Sequence, residues 1–461
     1  MRSRYFGDRH FYRKVLTVAV PIMIQQGITN FVNMLDNIMV GRLGTDPMSG
    51  VAILNQLMFI FNLCVFGGLS GIGIFTAQFY GKKDTEGVRY TFRMQVILSF
   101  LLAALGTAVL LLTGSSLISL YLTEDGGGGN IQATFSYAKE YLAVMYAGML
   151  PFALSQTYSS TLRNTGETIV PMKAGLIAVA VNLAGNYILI YGKFGAPALG
   201  VEGAAAATVL SRFVELIYVA GWTHKNAGRN AFITGAWKRL FDVPAALAGR
   251  ISIKALPLLV NETLWSGGMA MLTQCYSVRG LSAVAAHNIS QTFNNVFNVS
   301  FIAMGNAIAI ILGQTLGSGD IKRAKEESVK LTVFSVLICM GVGFCLFIAG
   351  GFFPLIYNTS DEIRRTASGL IRISAVCMPL YAYVNASYFT LRSGGKTGIT
   401  FLFDSCYMWV IAVPAAFVLA HFTGLSLLWM YFMVQMADII KCIIGYFLMK
   451  SGIWAQDLTK R

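Results

Sequence analysis

The residues of this chain that could do chemistry are carboxylates, amides and a histidine set within long apolar runs. In the first run Gln26, Thr29, Asn33 and Asp36 follow helical spacing and share one face. Asp36 lies toward the outer end of that face, with Asn33 and Asn37 beside it. A carboxylate so placed either exchanges a proton or a sodium ion, or is a hydrogen-bonded or solvated acid at a membrane boundary. Asn182 and Asn186 stand one turn apart on a later run, where an amide pair either joins helices or lines a site. Gln156 is a weaker example of the same kind. Glu262 occupies the position that Gln26 holds in the first half, five residues after Pro257. Proline frees a backbone carbonyl in a helix, and an acid beside it is hard to explain as packing.

His287, Gln291, Asn294, Asn295 and Asn298 form a polar stripe at helical spacing, the pattern of a helix lining an aqueous cavity. His287 reads as a hydrogen-bonded partner rather than a metal ligand. Asp404, about seven residues from a basic loop on the eleventh run, is either cavity-facing or a capping or interfacial acid. Arg212 with Glu215, and Asp438 with Lys441, are i,i+3 pairs that read as mutual neutralisation. The candidates thus divide into ion-coupling residues (Asp36, Asn182, Asn186 and Glu262) and cavity-lining residues (Gln26, Asn33, Gln156, His287, Gln291, Asn295 and Asp404). A sodium ion, if that is the coupling ion, is assigned to Asp36, Asn182 and Asn186.

No arrangement of residues points to an enzyme. Gly395-Lys396-Thr397 has the end of a phosphate-binding loop, but Thr390 stands where its first glycine belongs and no strand precedes it. The run Gly126 to Gly129 reads as a flexible outer loop. The seven cysteines lie in apolar runs without ligand spacing and read as small hydrophobes. No cofactor is expected beyond a transported proton or sodium ion.

The elements that must carry these residues follow from composition. Of 461 residues, 55% are hydrophobic and 12% charged, against roughly 25% charged in a soluble domain. A span needs about 20 mostly apolar residues. Twelve such segments occur, the first near Val15 and the last near Leu425. The second and eighth are longer, about 30 residues each. The expected class is an all-α integral membrane protein with twelve transmembrane helices in two pseudo-symmetric six-helix lobes. Residues 1–222 and 251–461 form the lobes, and the polar, basic stretch 223–250 is a cytoplasmic linker.

Pro21, Gln26, Asn55, Asn62, Gln78, Gly81 and Asp84 recur 236 residues later as Pro257, Glu262, Gln291, Asn298, Gln314, Gly317 and Asp320. A second repeated element, Leu162 to Thr168 and Leu391 to Thr397, closes the fourth and tenth spans. Six spans per half give both lobes one orientation, with the repeat axis along the membrane normal. Most of the 35 basic residues collect in loops on one side, Arg2, Arg4 and Arg461 among them, which puts both termini in the cytoplasm of a multi-pass cell-membrane protein. The net charge of +14 is then an orientation signal and not a sign of nucleic-acid binding. The expected partners are the bilayer and small molecules, and the expected functional unit is a monomer.

Several segments resemble the multidrug and toxic compound extrusion (MATE) family. They are Leu35-Asp36-Asn37-Ile38-Met39-Val40-Gly41-Arg42-Leu43-Gly44, Gln78-Phe79-Tyr80-Gly81, Leu162-Arg163-Asn164-Thr165-Gly166, and Asn182 to Ile190 followed by Gly200-Val201-Glu202-Gly203. The resemblance extends over essentially the whole chain. It implies two lobes of six spans and export of organic cations in exchange for sodium ions or protons. It also implies that Asp36 is the first-span carboxylate and that Asn182 and Asn186 are the fifth-span polar pair. Many members have an acid at the second of those positions, so Asn186 leaves the site less charged. The tenth-span acid of sodium-coupled members has no match among Tyr381, Ala382, Tyr383, Val384 and Asn385. A lipid-linked oligosaccharide flippase of similar architecture is the alternative. It would need a cationic cavity for anionic headgroups, whereas the deep ionisable residues here are mainly acids.

Overall fold

The computed structural model describes residues 5–122, 130–357 and 359–460. The run Gly126 to Gly129 and the basic residues Arg2, Arg4 and Arg461 lie outside them. Among the described residues all regular secondary structure is helical. Continuous apolar runs favour this outcome, because a backbone surrounded by lipid must satisfy its own N–H and C=O groups.

Twelve long helices account for the described chain. The first six are α1 (Arg9–Gly41), α2 (Thr45–Gly81), α3 (Thr85–Tyr121), α4 (Ile131–Asn164), α5 (Ile169–Tyr191) and α6 (Gly200–Lys225). The second six are α7 (Ala245–Ser277), α8 (Leu281–Gly317), α9 (Ile321–Ala349), α10 (Asp361–Ser393), α11 (Thr397–Phe422) and α12 (Leu427–Ser451). Ten of them are long and apolar enough to cross a membrane. The long second and eighth helices are each 37 residues, but α3 is also 37, so length does not single out that pair. The repeat shows in the helix bounds, since α1 and α2 reappear as α7 and α8 with every end displaced by 236 residues.

The chain divides into two compact units that cut across its halves. One contains residues 24–76 and 85–252; the other contains residues 1–23, 77–84 and 253–461. The division crosses α1 two residues after Pro21. In the first unit Leu54, Val65, Ala138, Met145, Met149 and Ala205 are fully or almost fully buried in one apolar core. In the second, Val15 and Ala19 pack with Met304, Ile308, Leu312 and Trp454. Another core there gathers Leu272, Ala286, Met408, Ala416 and Met430.

The repeat has a direct structural expression in the second unit. A Cβ on Gly81 would collide with the carbonyl of Gln314, and one on Gly317 with the carbonyl of Gln78. The ends of α2 and α8 therefore cross backbone on backbone through a reciprocal pair of contacts, the pattern that two-fold symmetry produces. Only glycine fits at either position. Gln78 then ties down the C-terminal segment. Its amide nitrogen donates to Ser393 O (2.9 Å) and Gln456 O (3.2 Å), and its oxygen accepts from Leu458 N (2.7 Å). The segment after α6 is held in a similar manner. Arg93 donates to the carbonyls of Gly235, Ala236 and Asp242, and Arg89 to those of Ala231 and Phe232.

Two helices depart from regularity. α11 is π-helical over Leu402–Cys406 and again over Met408–Ala412. α12 is interrupted at Ala437, between Leu427–Met436 and Asp438–Ser451. Gly395-Lys396-Thr397 opens α11 at a turn where Gly395 has φ +73°. The matching turn before α5 has Gly166 at φ +91°. These are equivalent repeat turns requiring glycine's left-handed freedom, and not a nucleotide cradle.

Candidate functional site

Asp36, Asn182 and Asn186 meet in the first unit. α1 carries the carboxylate near its C-terminal end, and α5 presents both amides from successive turns. Small residues allow the approach. A Cβ on Gly203 would lie 2.5 Å from Leu189 O, and one on Gly185 2.9 Å from the Ala207 Cβ, so α5 and α6 pack at close range. Tyr191 fixes the end of α1 by donating from its hydroxyl to Met39 O at 2.8 Å.

The Asn186 Nδ2 donates to Asp36 Oδ1 at 2.7 Å. The Asn182 amide is oriented by its neighbours, because its oxygen against the carboxylate would set acceptor against acceptor. With the nitrogen inward it donates to Asp36 Oδ2 at 2.8 Å and Oδ1 at 3.0 Å, and its oxygen faces Thr208 Oγ1 at 3.2 Å. Asn182 and Asn186 are 6% and 1% exposed, and the Asn186 Oδ1 is buried without a hydrogen-bond partner. Among the described residues Asp36 has no ion pair. Amide donors thus satisfy its charge with no fixed cation. Thr208 is the member of this site that sequence reasoning missed; a threonine in an alanine-rich helix gave no periodic signal.

The remaining first-unit candidates do not join this cluster through any hydrogen bond given by the described residues. On the face of α1 that includes Asp36, Gln26 is half-buried with its Oε1 unpartnered, and Asn33 is exposed. Gln156 is half-buried on α4. The Arg212 and Glu215 side chains form no ion pair. Arg212 instead donates from Nη1 to Gly148 O (3.3 Å) and lies 4.8 Å from the Phe152 ring centre. Arg163 donates to Gln25 Oε1 at 2.9 Å, a polar contact between α4 and α1 that spacing did not reveal.

A second carboxylate cluster forms inside the other unit, from α7, α10, α11 and α12. Asp404 Oδ1 accepts from Lys441 Nζ at 2.9 Å. Lys441 makes its direct ion pair with Asp404 and keeps Asp438 as a further acidic neighbour. Asp404 Oδ2 accepts from Asn261 Nδ2 at 3.2 Å, and that amide also reaches Tyr388 OH at 3.3 Å. Ser405 fixes Asn261 by donating from Oγ to its Oδ1 at 2.7 Å. Glu262, the next residue on α7, has Tyr388, Arg392 and Asp404 as polar neighbours. Sequence reasoning missed Asn261, Tyr388, Arg392 and Ser405, which come from three different helices and meet through packing.

The α8 stripe divides. His287 and Asn294 are buried within the second unit, where His287 packs against Tyr276 and Tyr431 and lies 3.4 Å from Gln291 Nε2. Asn294 donates to Ser374 Oγ at 2.9 Å, and Ser374 in turn contacts Tyr431 OH at 2.9 Å. Gln291 and Asn298 are half-buried and Asn295 is exposed. Among the described residues no group of three His, Cys, Asp or Glu side chains is arranged to hold a metal ion.

Comparisons with known proteins agree with this architecture. The chain is 25% identical over 449 residues to "Probable multidrug resistance protein NorM" of Thermotoga maritima, covering 96% of this chain and 93% of that one. It is 26% identical to "Multidrug resistance protein MdtK" of Photorhabdus laumondii, covering 88% and 87%. Among solved structures, an outward-facing multidrug resistance MATE family transporter of the MOP superfamily superposes with a TM-score of 0.83 at 20% identity, covering 97% and 98%. A MOP superfamily transporter from Pyrococcus furiosus superposes with a TM-score of 0.84 at 19% identity, covering 98% and 97%. The MatE family model matches residues 21–188 and 257–418, one stretch in each repeat, and the chain therefore belongs to the MATE family.

Proposed function

We propose that this protein is a multidrug efflux antiporter. It exports organic cations in exchange for protons or sodium ions, with Asp36 as the coupling carboxylate. The observation that carries the reading is the convergence of Asn182 and Asn186 on Asp36 without a fixed cation. A carboxylate held by neutral amides can exchange its counter-ion, because no charged side chain has to leave first. The amides suit either ion. As donors they stabilise the ionised carboxylate. Rotated by half a turn they offer carbonyl oxygens, the ligand type that hard cations select.

In the cycle we propose, Asp36 takes up the ion from the outer side. Its charge is neutralised and the cationic substrate leaves. Facing inward, the ion departs, Asp36 regains its charge and substrate binds again. The lobes at 1–222 and 251–461, joined by 223–250, alternate access, with both termini in the cytoplasm as the basic-loop bias favours. Gln26, Asn33 and Gln156 would line the path in the first lobe, and Gln291 and Asn295 in the second. Names of relatives such as NorM and MdtK support drug substrates. One charge entering down roughly 100 mV supplies about 2.3 kcal/mol, which the outward movement of a monovalent cation consumes, so a one-for-one exchange is driven by the concentration gradient of the coupling ion.

The test is ethidium efflux from proteoliposomes with sodium and proton gradients imposed separately. At least one gradient should drive efflux in the wild type, and neither should do so in Asp36→Asn. Gradient-driven efflux by that variant at the wild-type rate would refute the coupling role.

A further inference from the structure

Lys441 is an unusual occupant of its surroundings. Its side chain is 7% exposed, and its ammonium contacts Asp404 Oδ1 at 2.9 Å. It also lies over the Tyr407 ring at 5.0 Å and the Phe403 ring at 5.7 Å. A carboxylate flanked by aromatic faces is the chemistry that binds a free ammonium ion or a small metal cation. Three of these groups, Phe403, Asp404 and Tyr407, come from the π-helical part of α11 and its edge. Such widened turns occur mostly at functional sites. The partner side is built as well, since Ser405 fixes Asn261 and Asn261 holds Asp404 Oδ2. Both carboxylate oxygens are thus committed, one of them to a cation attached to the chain.

Asp36 offers the contrast, having amide donors but no ion pair. We infer that the Lys441 ammonium is a tethered counter-ion occupying a latent cation site on Asp404, so that this carboxylate does not exchange ions while Lys441 is present. The site under the ammonium would take a small alkylammonium or an alkali cation once the tether is removed. The inference rests on the antiport reading for the role of Asp36 alone; the Asp404 cage stands without it.

The experiment follows the melting temperature of purified protein in detergent against sodium, potassium or n-propylammonium chloride, with N-methylglucamine chloride at equal ionic strength as reference. Lys441→Ala in the Asp36→Asn background should gain a saturable stabilisation of roughly 2 °C or more at a hundredfold excess over Kd. Adding Asp404→Asn should abolish it. A folded Lys441→Ala variant with no cation-dependent shift overturns the inference. A shift that survives Asp404→Asn overturns it too.

Should Lys441→Ala fail to fold, Asp36→Asn with Lys441 intact decides the matter. That protein should show no cation-dependent shift, and a shift that vanishes on adding Asp404→Asn would mean that Asp404 already exchanges ions. Failure of the antiport reading would appear elsewhere, as gradient-driven efflux by Asp36→Asn alone.

Discussion

In the unit that holds Asp36, the carboxylate receives hydrogen bonds from Asn182 and Asn186 and makes no ion pair among the described residues. In the unit that holds Asp404, an asparagine amide again donates to the carboxylate, but the other oxygen is bound by a buried lysine. A buried charge needs compensation. The two units meet that need differently, one with neutral dipoles that can rotate and the other with a covalently attached charge. On the antiport reading, a half-buried aspartate in this fold couples only where its counter-ion is free to leave. What surrounds it decides whether its counter-ion can leave.

The largest expected effect is on transport. Asp36→Asn should reduce gradient-driven ethidium accumulation ratios to near unity, with protein still in the membrane by immunoblot. Next comes stability at the other carboxylate. Lys441→Ala, measured in the absence of small cations, should destabilise by about 1–3 kcal/mol because it leaves the half-buried Asp404 without its ion pair. Lys441→Met combined with Asp404→Leu should recover most of that loss, which thermal denaturation in detergent would register. Equal destabilisation of the single and double variants would show that Lys441 acts through packing and not charge.

A third pair of variants probes what the halves share. Gly81→Ala and Gly317→Ala should each cost about 1–3 kcal/mol, because each Cβ meets the other helix's backbone. The two should behave alike, unlike Asp36 and Asp404 variants; a large difference in melting temperature between them would break the reciprocal-crossing account. The smallest effect is expected at Asn186→Asp. A second carboxylate beside Asp36 should strengthen cation binding by about tenfold, or about 1.4 kcal/mol, measurable by isothermal titration. Unchanged or weaker binding would show that Asn186 does not face the ion.

Much of this was legible in the sequence, and particular residues show why. Asp36, Asn182 and Asn186 stood out because polar groups are costly inside apolar runs. The positions of Gly81 and Gly317 marked the repeat before their contact explained it. Lys441 shows where such reading ends. Its nearest acid by helical spacing is Asp438, yet α12 is interrupted at Ala437 and the ammonium reaches Asp404 on another helix. Arg212 and Glu215 remain electrostatic neighbours, but the hydrogen bond of the guanidinium to Gly148 O and its place beside the Phe152 ring were not legible in spacing.

The sequence by itself determined the twelve spans, the two-fold repeat and the presence of costly polar groups. Each depends on local composition or on comparison of the chain with itself, as bilayer thickness and helical period dictate. Only the tertiary structure decided which counter-ion each carboxylate has, where the compact units divide and how Gly81 and Gly317 cross. Those depend on which helix faces come together, and side-chain charge is compensated through space, by groups that spacing along one helix does not reveal.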